Sequence, residues 1–366
     1  MAKALNMKPL LLGSLALSLA ISFAPLILNE TPQHQEPLYF PADGYAKWQT
    51  TSPALLGWNT QNITGLVSYL KEKHTRAFIV LVNGKIVIEE YMNGHKQWKP
   101  WYWASAGKTL TATTFGIAQD AGLVNENDAV SQYLGKGWTS APAEKEQKIT
   151  CRNLLTMTSG IDDSYGNDVN AQNLKYKADA GTRWAYHNIY VKLQDVVAKA
   201  SNQTWEAYFD TALKDKIGMS GRWINGGPGK MEPFSIYWSN ARSMARFGLL
   251  ALNKGNWNGT QVVSKKYFES MVTPSQNINK SYGYLWWLNG KESYHMPTLQ
   301  TEFKGNLIPD APADMYMALG KNDQKIYVIP SKKMVVIRMG DSANNKNFAL
   351  SGFDNELWQK INGVIK

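Results

Sequence analysis

The pattern of hydrophobic and polar residues predicts strands at both ends of the chain. In the first part, two β-branched runs flank Asn83-Gly84 in AFIVLVNGKIVIEEYMNG, and Asn-Gly between such runs predicts a β-hairpin. Leucines at helical spacing predict a helix just before it, at about 61–73. In the last part, DMYMALG, KIYVIP and KMVVIRMG predict three strands, and DNELWQKING predicts a closing helix.

The middle of the chain, about 120–240, has a different pattern. Short segments of helical character, such as TCRNLLTMTSG and YVKLQDVVAKASNQTWEAYFDTAL, alternate with polar loops that contain Gly and Asp. The simplest α/β architecture is one antiparallel sheet built from both ends and flanked by terminal helices, with this mostly helical lobe inserted in it. A cleft between two lobes is where a substrate site is expected.

The first 30 residues are predicted to be a targeting segment. Lys3 and Lys8 precede an uncharged, mostly apolar stretch from Pro9 to Asn29, which is the pattern of an export signal. The stretch is also about as long as the ~20 residues that a membrane-spanning helix needs. A cleaved signal peptide and a retained membrane anchor are both left open. Either one exports the body, which is then periplasmic or tethered to the outer face of the cytoplasmic membrane.

Composition narrows the class of protein. Residues 31–60, rich in Pro, Gln and Asn, predict an irregular lead-in to one domain at 61–366, and the 44% hydrophobic content is enough for a packed core. The net charge is +10, but the basic residues are scattered, so no nucleic-acid partner is expected. A single cysteine, Cys151, and five histidines without paired ligand spacing indicate neither an internal disulfide nor a metal site. No cofactor is expected.

Candidate chemistry begins in the segment WYWASAGKTLTAT. Ser105 and Lys108 are three residues apart where a helix is predicted to begin, so they lie on one helical face. A serine hydroxyl becomes a strong nucleophile only when a base takes its proton, and a lysine is such a base only when its surroundings keep it neutral. For this motif alone, the alternative is a solvated pair on a surface helix.

A second candidate motif is Tyr186-His187-Asn188, in GTRWAYHNIY. Tyr186 and Asn188 are two residues apart, so they project the same way from an extended loop. The phenol could exchange protons with a leaving group, and the amide could orient Lys108 or a substrate carbonyl. The alternative is that Tyr186 is a buried aromatic residue with a satisfied hydroxyl. His187 is expected to be structural, because no acidic residue is placed to orient it.

A third feature lies late in the chain, before KIYVIP. Ala318 is a small residue at the edge of a predicted strand. A small residue there would let a backbone N–H approach a substrate closely and form an oxyanion hole with the N–H of Ser105.

The first two motifs resemble those of the serine β-lactamase and penicillin-binding superfamily, on its class C side. Ser105-x-x-Lys108 and Tyr186-x-Asn188 look like its first two motifs. The segments LLTMTSGIDD, ARSMARFGLLALNKGNWNGTQVVSKKY and YGYLWWLNG are similar to 6-aminohexanoate-dimer hydrolases and β-lactamase-like carboxylesterases, and the likeness covers about 60–360. It implies a β-lactamase/transpeptidase-like fold, an acyl-enzyme on Ser105, and acid–base work shared by Lys108 and Tyr186. Which of these two is the base is left open.

The third motif departs from the family pattern. In β-lactamases and peptidases of this superfamily, Lys-Thr-Gly or His-Thr-Gly lies on the last strand of the site, where this chain has Met315-Tyr316-Met317. The cation that would hold a substrate carboxylate is therefore expected to be missing, unless Lys321 reaches in. The residues expected to contact the substrate are Trp103, Asn188, Tyr316 and Lys321.

Three functions remain in competition. The leading one is an exported or membrane-tethered serine hydrolase that cleaves an ester or amide in a small molecule or short peptide, preferring uncharged substrates to β-lactams. The second is a D-alanyl peptidase or β-lactamase. The third is an inactive wall- or ligand-binding module that uses Trp98, Trp101 and Trp103 as a stacking platform. Since inactive relatives usually lose the motif serine, lysine or tyrosine, their presence here favours an enzyme. The oligomeric state is left open.

Overall fold

The computed structural model describes residues 1–2, 37–42, 47–227, 230–344 and 350–365. Pro37–Lys366 form one compact unit. Apart from its first two residues, the predicted targeting segment at 1–30 lies outside the described residues. No helix in the described ranges is long and apolar enough to cross a membrane.

The strands and helices alternate in groups along the chain. The strands are β1 (Thr75–Val82), β2 (Lys85–Tyr91), β3 (Trp101–Tyr102), β4 (Arg222–Gly227), β5 (Lys230–Ser239), β6 (Asn256–Trp257), β7 (Thr260–Gln261), β8 (Trp287–Leu288), β9 (Ser293–His295), β10 (Glu302–Lys304), β11 (Tyr316–Gly320), β12 (Gln324–Ile329) and β13 (Met334–Gly340). The α-helices are α1 (Gln61–Glu72), α2 (Lys108–Asp120), α3 (Ser131–Leu134), α4 (Ala143–Glu146), α5 (Cys151–Leu155), α6 (Lys192–Ser201), α7 (Trp205–Phe209), α8 (Ala241–Leu252), α9 (Lys265–Met271) and α10 (Gly352–Ile365).

Strands from both ends of the chain form one six-stranded sheet, in the order β2-β1-β13-β12-β11-β8. Every pairing in it is antiparallel; in the centre, for example, Ile79 lies opposite Ile337. The predicted α/β fold with one antiparallel sheet built from both ends is confirmed. This arrangement brings the end of β11, more than 200 residues away in sequence, next to the Ser105 segment.

The predicted hairpin joins β1 and β2. Asn83 and Gly84 have φ angles of 51° and 79°, the left-handed conformations that a two-residue hairpin turn requires. The lead-in packs on this turn: the Tyr39 N–H donates to the Asn83 carbonyl, and the Trp48 indole donates to the Gly84 carbonyl at 2.7 Å. The described part of the lead-in, 37–42 and 47–60, contains one 3-10 helix, Pro53–Leu56, and is hydrogen-bonded to the sheet.

Helices cover both faces of the sheet centre. Because side chains alternate along a strand, Ile326 faces α8 while Lys325 and Tyr327 face α10. On the α8 side, a Cβ added at Gly248 would lie 2.5 Å from the Val335 side chain, so glycine permits the close helix–sheet contact. On the α10 side, the Tyr327 ring packs edge-on against Trp358. Both faces are therefore covered, which explains why β12 and β13 are buried along their whole length.

The middle block is mostly helical, as predicted, but it also contains a β-hairpin that the sequence analysis missed. Strands β4 and β5 pair with each other, and β3 joins them in a three-stranded sheet. The end of β5, Phe234–Ser239, alternates apolar and polar residues at Phe234, Ser235 and Ile236, a period-two pattern that signals a strand. Helix α2 starts beside this hairpin and runs through the interior, with 10 of its 13 residues buried.

Candidate active site

Ser105 lies in a 3-10 turn, Ala104–Gly107, that leads directly into α2. The residue before it, Ala104, has a φ of 48°, a left-handed conformation that is unfavourable for a residue with a Cβ and that marks functional turns. Trp103 holds the turn in place: its N–H donates to the Tyr237 carbonyl at 2.9 Å and its indole donates to Ser239 Oγ at 2.8 Å. The serine is thus presented on a turn fixed to β5.

Lys108 is buried next to the serine. Its Nζ lies 3.0 Å from Ser105 Oγ and 2.8 Å from Asn188 Oδ1, and the residue is only 2% exposed. Within the described chain no carboxylate pairs with it. Burial without a counter-charge disfavours the ammonium form and lowers the pKa of Lys108 to about 7. A lysine of this pKa is substantially neutral near pH 7, so it can accept the proton of Ser105.

Tyr186 completes the contact around the serine hydroxyl. Its hydroxyl interacts with the side chains of Ser105 and Trp287, and its ring stacks on Trp287 with the centroids 5.7 Å apart. Burial raises the pKa of Tyr186 to about 12, so the phenol stays protonated at neutral pH. The rings of Tyr186 and Tyr190 lie 4.9 and 4.4 Å from Lys108 Nζ.

Asn188 begins a second 3-10 turn, Asn188–Val191, and His187 caps it. The His187 ring accepts a hydrogen bond from the Ile189 N–H through Nδ1 at 3.2 Å. Burial lowers the pKa of His187 to about 4, so the ring is neutral and remains an acceptor. This capping contact gives His187 the structural role that the sequence predicted.

A cavity of about 90 Å³ opens beside Ser105 and Lys108. The hairpin β4–β5 gives it an apolar wall, and polar residues line the rest. Its lining residues include Ser105, Lys108, Asn167, Asn188, Tyr190, Trp223, Phe234, Ser235, Ile236 and Lys321. A larger cavity of about 440 Å³, lined by Trp98 and Arg242 among others, contains none of the motif residues. The chemistry, rather than the volume, therefore identifies the smaller cavity as the candidate site.

The end of β11 approaches the serine turn at Gly320, not at Ala318. A Cβ added at Gly320 would lie 2.4 Å from the Trp103 carbonyl oxygen and 3.0 Å from the Ala106 nitrogen, so only glycine fits. Ala318 is fully buried opposite Ile326 in β12, and neither Ala318 nor Gly320 is among the residues that line the cavity. The predicted close approach exists, but it occurs two residues later than the sequence analysis placed it. A glycine in a strand pattern is the signal for such a contact.

Two of the four expected substrate-binding residues line the cavity, and two do not. Asn188 and Lys321 are in the lining, and Lys321 is exposed without an ion-pair partner among the described residues. Tyr316 is buried, with its hydroxyl donating to the Ala251 carbonyl at 2.8 Å. Trp103 is fully buried as the anchor of the serine turn. Neither Tyr316 nor Trp103 is placed to touch a substrate.

The three tryptophans do not form a stacking platform. Trp98 is 68% exposed, Trp103 is fully buried, and Trp101 lies under the Arg76 guanidinium at 4.2 Å. Several further cavity residues come from distant segments and belong to no motif recognised in the sequence: Asn167, Tyr190, Trp223, Phe234 and Ile236.

Comparison with known proteins identifies the family. The sequence profile of the family described as Beta-lactamase matches residues 63–352, most of the chain, and the protein therefore belongs to that family. The superfamily predicted from the motifs is thus confirmed. No curated protein sequence gives a significant match.

Solved structures share the fold. A protein from Bacillus anthracis assigned as a 6-aminohexanoate-dimer hydrolase has a TM-score of 0.66 and 20% identity, over 89% of this chain and 88% of its own. A protein from Bacteroides dorei assigned as a β-lactamase has a TM-score of 0.64 and 15% identity, over 84% and 98%. The octameric penicillin-binding protein homologue from Pyrococcus abyssi has a TM-score of 0.56 and 16% identity, over 83% and 78%. At these identities the likeness concerns the fold, and the chemistry must be argued from the site.

Proposed function

We propose that this protein is a serine hydrolase that cleaves an ester or amide through an acyl-enzyme on Ser105. The observation that carries the proposal is the 3.0 Å contact between Ser105 Oγ and the buried Lys108 Nζ. Membership in the β-lactamase family supports a hydrolase. The Lys108–Ser105 hydrogen bond, with Tyr186 beside it, supports covalent catalysis.

In the acylation step, neutral Lys108 takes the proton of Ser105 while Oγ attacks the substrate carbonyl carbon. The negative charge on the carbonyl oxygen is stabilised by the Ser105 N–H and a backbone N–H at the end of β11, beside Gly320. As the bond to the leaving group breaks, Tyr186 donates its proton to the leaving group and regains one from Lys108. Water then attacks the acyl-enzyme, its proton returns to Oγ through the same groups, and the free acid leaves.

The two pKa shifts favour Lys108 over Tyr186 as the base. Near pH 7 a lysine of pKa about 7 is neutral in much of the population, whereas a tyrosine of pKa about 12 is almost entirely protonated. A group whose pKa lies near the working pH is the more effective base. Tyr186 is therefore assigned the donor role.

The shape of the cavity favours a small apolar acyl or alcohol group. Trp223, Phe234 and Ile236 form a wall beside Ser105, and apolar surface removed from water is the main source of affinity there. The volume of about 90 Å³ beside Ser105 favours a short chain there. Short-chain esters and small amides fit this description.

A D-alanyl peptidase or β-lactamase is the second candidate, and Lys321 is the observation that favours it. The substrates of such enzymes carry a carboxylate beside the scissile bond, and a charge-assisted hydrogen bond to it is worth about 1.5–3 kcal/mol. Lys321 places at the cavity a cation that has no ion-pair partner among the described residues, although β11 itself carries none. The ratio of kcat/KM for p-nitrophenyl butyrate and a chromogenic cephalosporin, in wild type and Lys321→Ala, separates the two candidates. If wild type has the higher kcat/KM for the cephalosporin and Lys321→Ala does not, the second candidate replaces the first.

Labelling tests the nucleophile. A fluorophosphonate should leave one adduct, on the peptide that carries Ser105, and Ser105→Ala should abolish both the adduct and turnover. An adduct elsewhere, or retained activity in Ser105→Ala, contradicts the proposal.

We also propose that the segment at 1–30 exports the protein or tethers it to the membrane. Its charged start and apolar stretch support this. Comparing the cellular fraction of the full chain with that of a chain lacking residues 1–30 tests it.

A further inference from the structure

A hydrogen-bonded chain leads from Lys108 to a loop residue outside the motifs. Lys108 Nζ donates to Asn188 Oδ1 at 2.8 Å, and Asn188 Nδ2 donates to Asn167 Oδ1 at 2.7 Å. Asn167 lines the same cavity as Ser105. The Asn188 amide is therefore held at both ends, with its oxygen toward the lysine and its nitrogen toward the loop.

The orientation of this amide decides where the lysine lone pair points. A neutral amine has two N–H donors and one lone pair. With Asn188 Oδ1 accepting one N–H, the lone pair stays free to receive the proton of Ser105. With the amide turned by 180°, Nδ2 would face Lys108 and donate to that lone pair, in competition with the serine. The oxygen and nitrogen ends have nearly the same shape, so packing alone does not choose between them.

The loop that carries Asn167 has a local hydrogen bond on each side of this residue. Asp162 Oδ1 accepts from the Ser164 N–H at 3.0 Å before it, and Asp168 Oδ1 accepts from the Asn170 N–H at 2.9 Å after it. These local hydrogen bonds shape turns on either side of Asn167. The backbone on either side of Asn167 is thus held in defined turns, and the Asn167 side-chain oxygen accepts from Asn188 Nδ2.

We propose that Asn167 is a positioning residue of the active site, which fixes the Asn188 amide so that the Lys108 lone pair remains directed at Ser105. This inference rests on the proposed function. Asn167 acts through Asn188 and Lys108, so its loss should slow the chemical step and leave substrate binding nearly unchanged.

Steady-state kinetics of ester hydrolysis test the inference. Asn167→Ala should lower kcat by about 5- to 10-fold, the scale of one net hydrogen bond, with KM changed less than about twofold. Asn167→Asp keeps the acceptor oxygen and should restore most of kcat when assayed at pH 9, where the added charge no longer keeps the lysine protonated. Gln172→Ala is the matched control, because Gln172 is exposed near Asn167 and its side chain has no hydrogen bond among the described residues.

A double-mutant cycle separates positioning from a direct substrate contact. In Asn188→Ala no amide remains to be oriented and no charge is added beside Lys108, so adding Asn167→Ala should cost less than about twofold. A penalty that persists in this background, a penalty found in KM, or unchanged kcat in Asn167→Ala overturns the inference. Activity that survives Ser105→Ala overturns instead the proposed function on which it rests.

Discussion

Lys108 and Lys325 are both buried lysines, but their surroundings are opposite. Lys325 is 0% exposed, and its Nζ lies 2.8 Å from Asp354 and 3.2 Å from Asp323. Lys108 is 2% exposed and has an amide and a hydroxyl as neighbours, with no carboxylate from the described part of the chain. A buried charge that is paired ties elements together, whereas burial without a counter-charge lowers the pKa of Lys108 to about 7.

The two lysines differ in their place in the fold as well as in their partners. Lys325 faces α10, and its partner Asp323 lies in the 3-10 turn Lys321–Asp323 that follows β11. Arg338 reinforces this turn by donating to the carbonyls of Asn322 and Asp323 at 3.0 Å each. The paired lysine thus supports the turn that presents Lys321, while the unpaired lysine lies at the proposed reacting centre.

The largest expected effect comes from breaking the paired cluster. Lys325→Met leaves two buried carboxylates without their cation, which should lower the free energy of unfolding by about 3–5 kcal/mol. Denaturant melts of the purified variant measure this, with Lys325→Arg, which keeps the charge, as the milder control. A loss below about 1 kcal/mol would mean that the cluster does not depend on Lys325.

The next effect comes from restoring a permanent charge at the unpaired position. Lys108→Arg keeps a cation but cannot deprotonate at working pH, so kcat/KM for an ester should fall by roughly 10²-fold or more. Circular dichroism checks that the fold is retained. If the arginine variant works nearly as well as wild type, Lys108 acts only as a charge and another group is the base.

The smallest effect is a gain in stability when the unpaired lysine is removed. Burial lowers the pKa of Lys108 from 10.5 to about 7, so the unfolded chain binds more protons between these two values. The destabilisation is complete below pH 7 and disappears above pH 10.5. Lys108→Met should therefore be inactive but more stable by ~1–2 kcal/mol at pH 7, and the gain should shrink as the pH rises. A gain that does not depend on pH would contradict the assigned ionisation.

The sequence predicted those parts of the site that lie within short segments. Ser105 with Lys108, and Tyr186 with Asn188, are each close in sequence, so local geometry fixes their relation. The sheet built from both chain ends could also be predicted, because β-branched runs and the Asn83-Gly84 turn specify strands and a hairpin from local sequence.

What could not be predicted depends on contacts between distant segments. Trp103 could have faced a substrate or the interior, and only its partners in β5 place it inside. The sequence alone does not show which small residue of β11 meets the serine turn, and it predicts the contact at Ala318. In the folded chain, packing against the turn places the contact at Gly320. Asn167 carries no motif, and its role depends on a loop that meets Asn188 only in the folded chain.

The pH dependence of acylation tests the central claim most directly, namely that buried, unpaired Lys108 is the base for Ser105. The rate at which a fluorophosphonate labels Ser105, followed by mass spectrometry under single-turnover conditions, should rise with pH and level off, with a midpoint near the Lys108 pKa of about 7. The sign follows from the role: labelling needs the neutral lysine, whose fraction grows as the pH rises through its pKa. A rate that is flat between about pH 5 and 9, or that rises only above about pH 9 as an unperturbed lysine would require, would contradict the account.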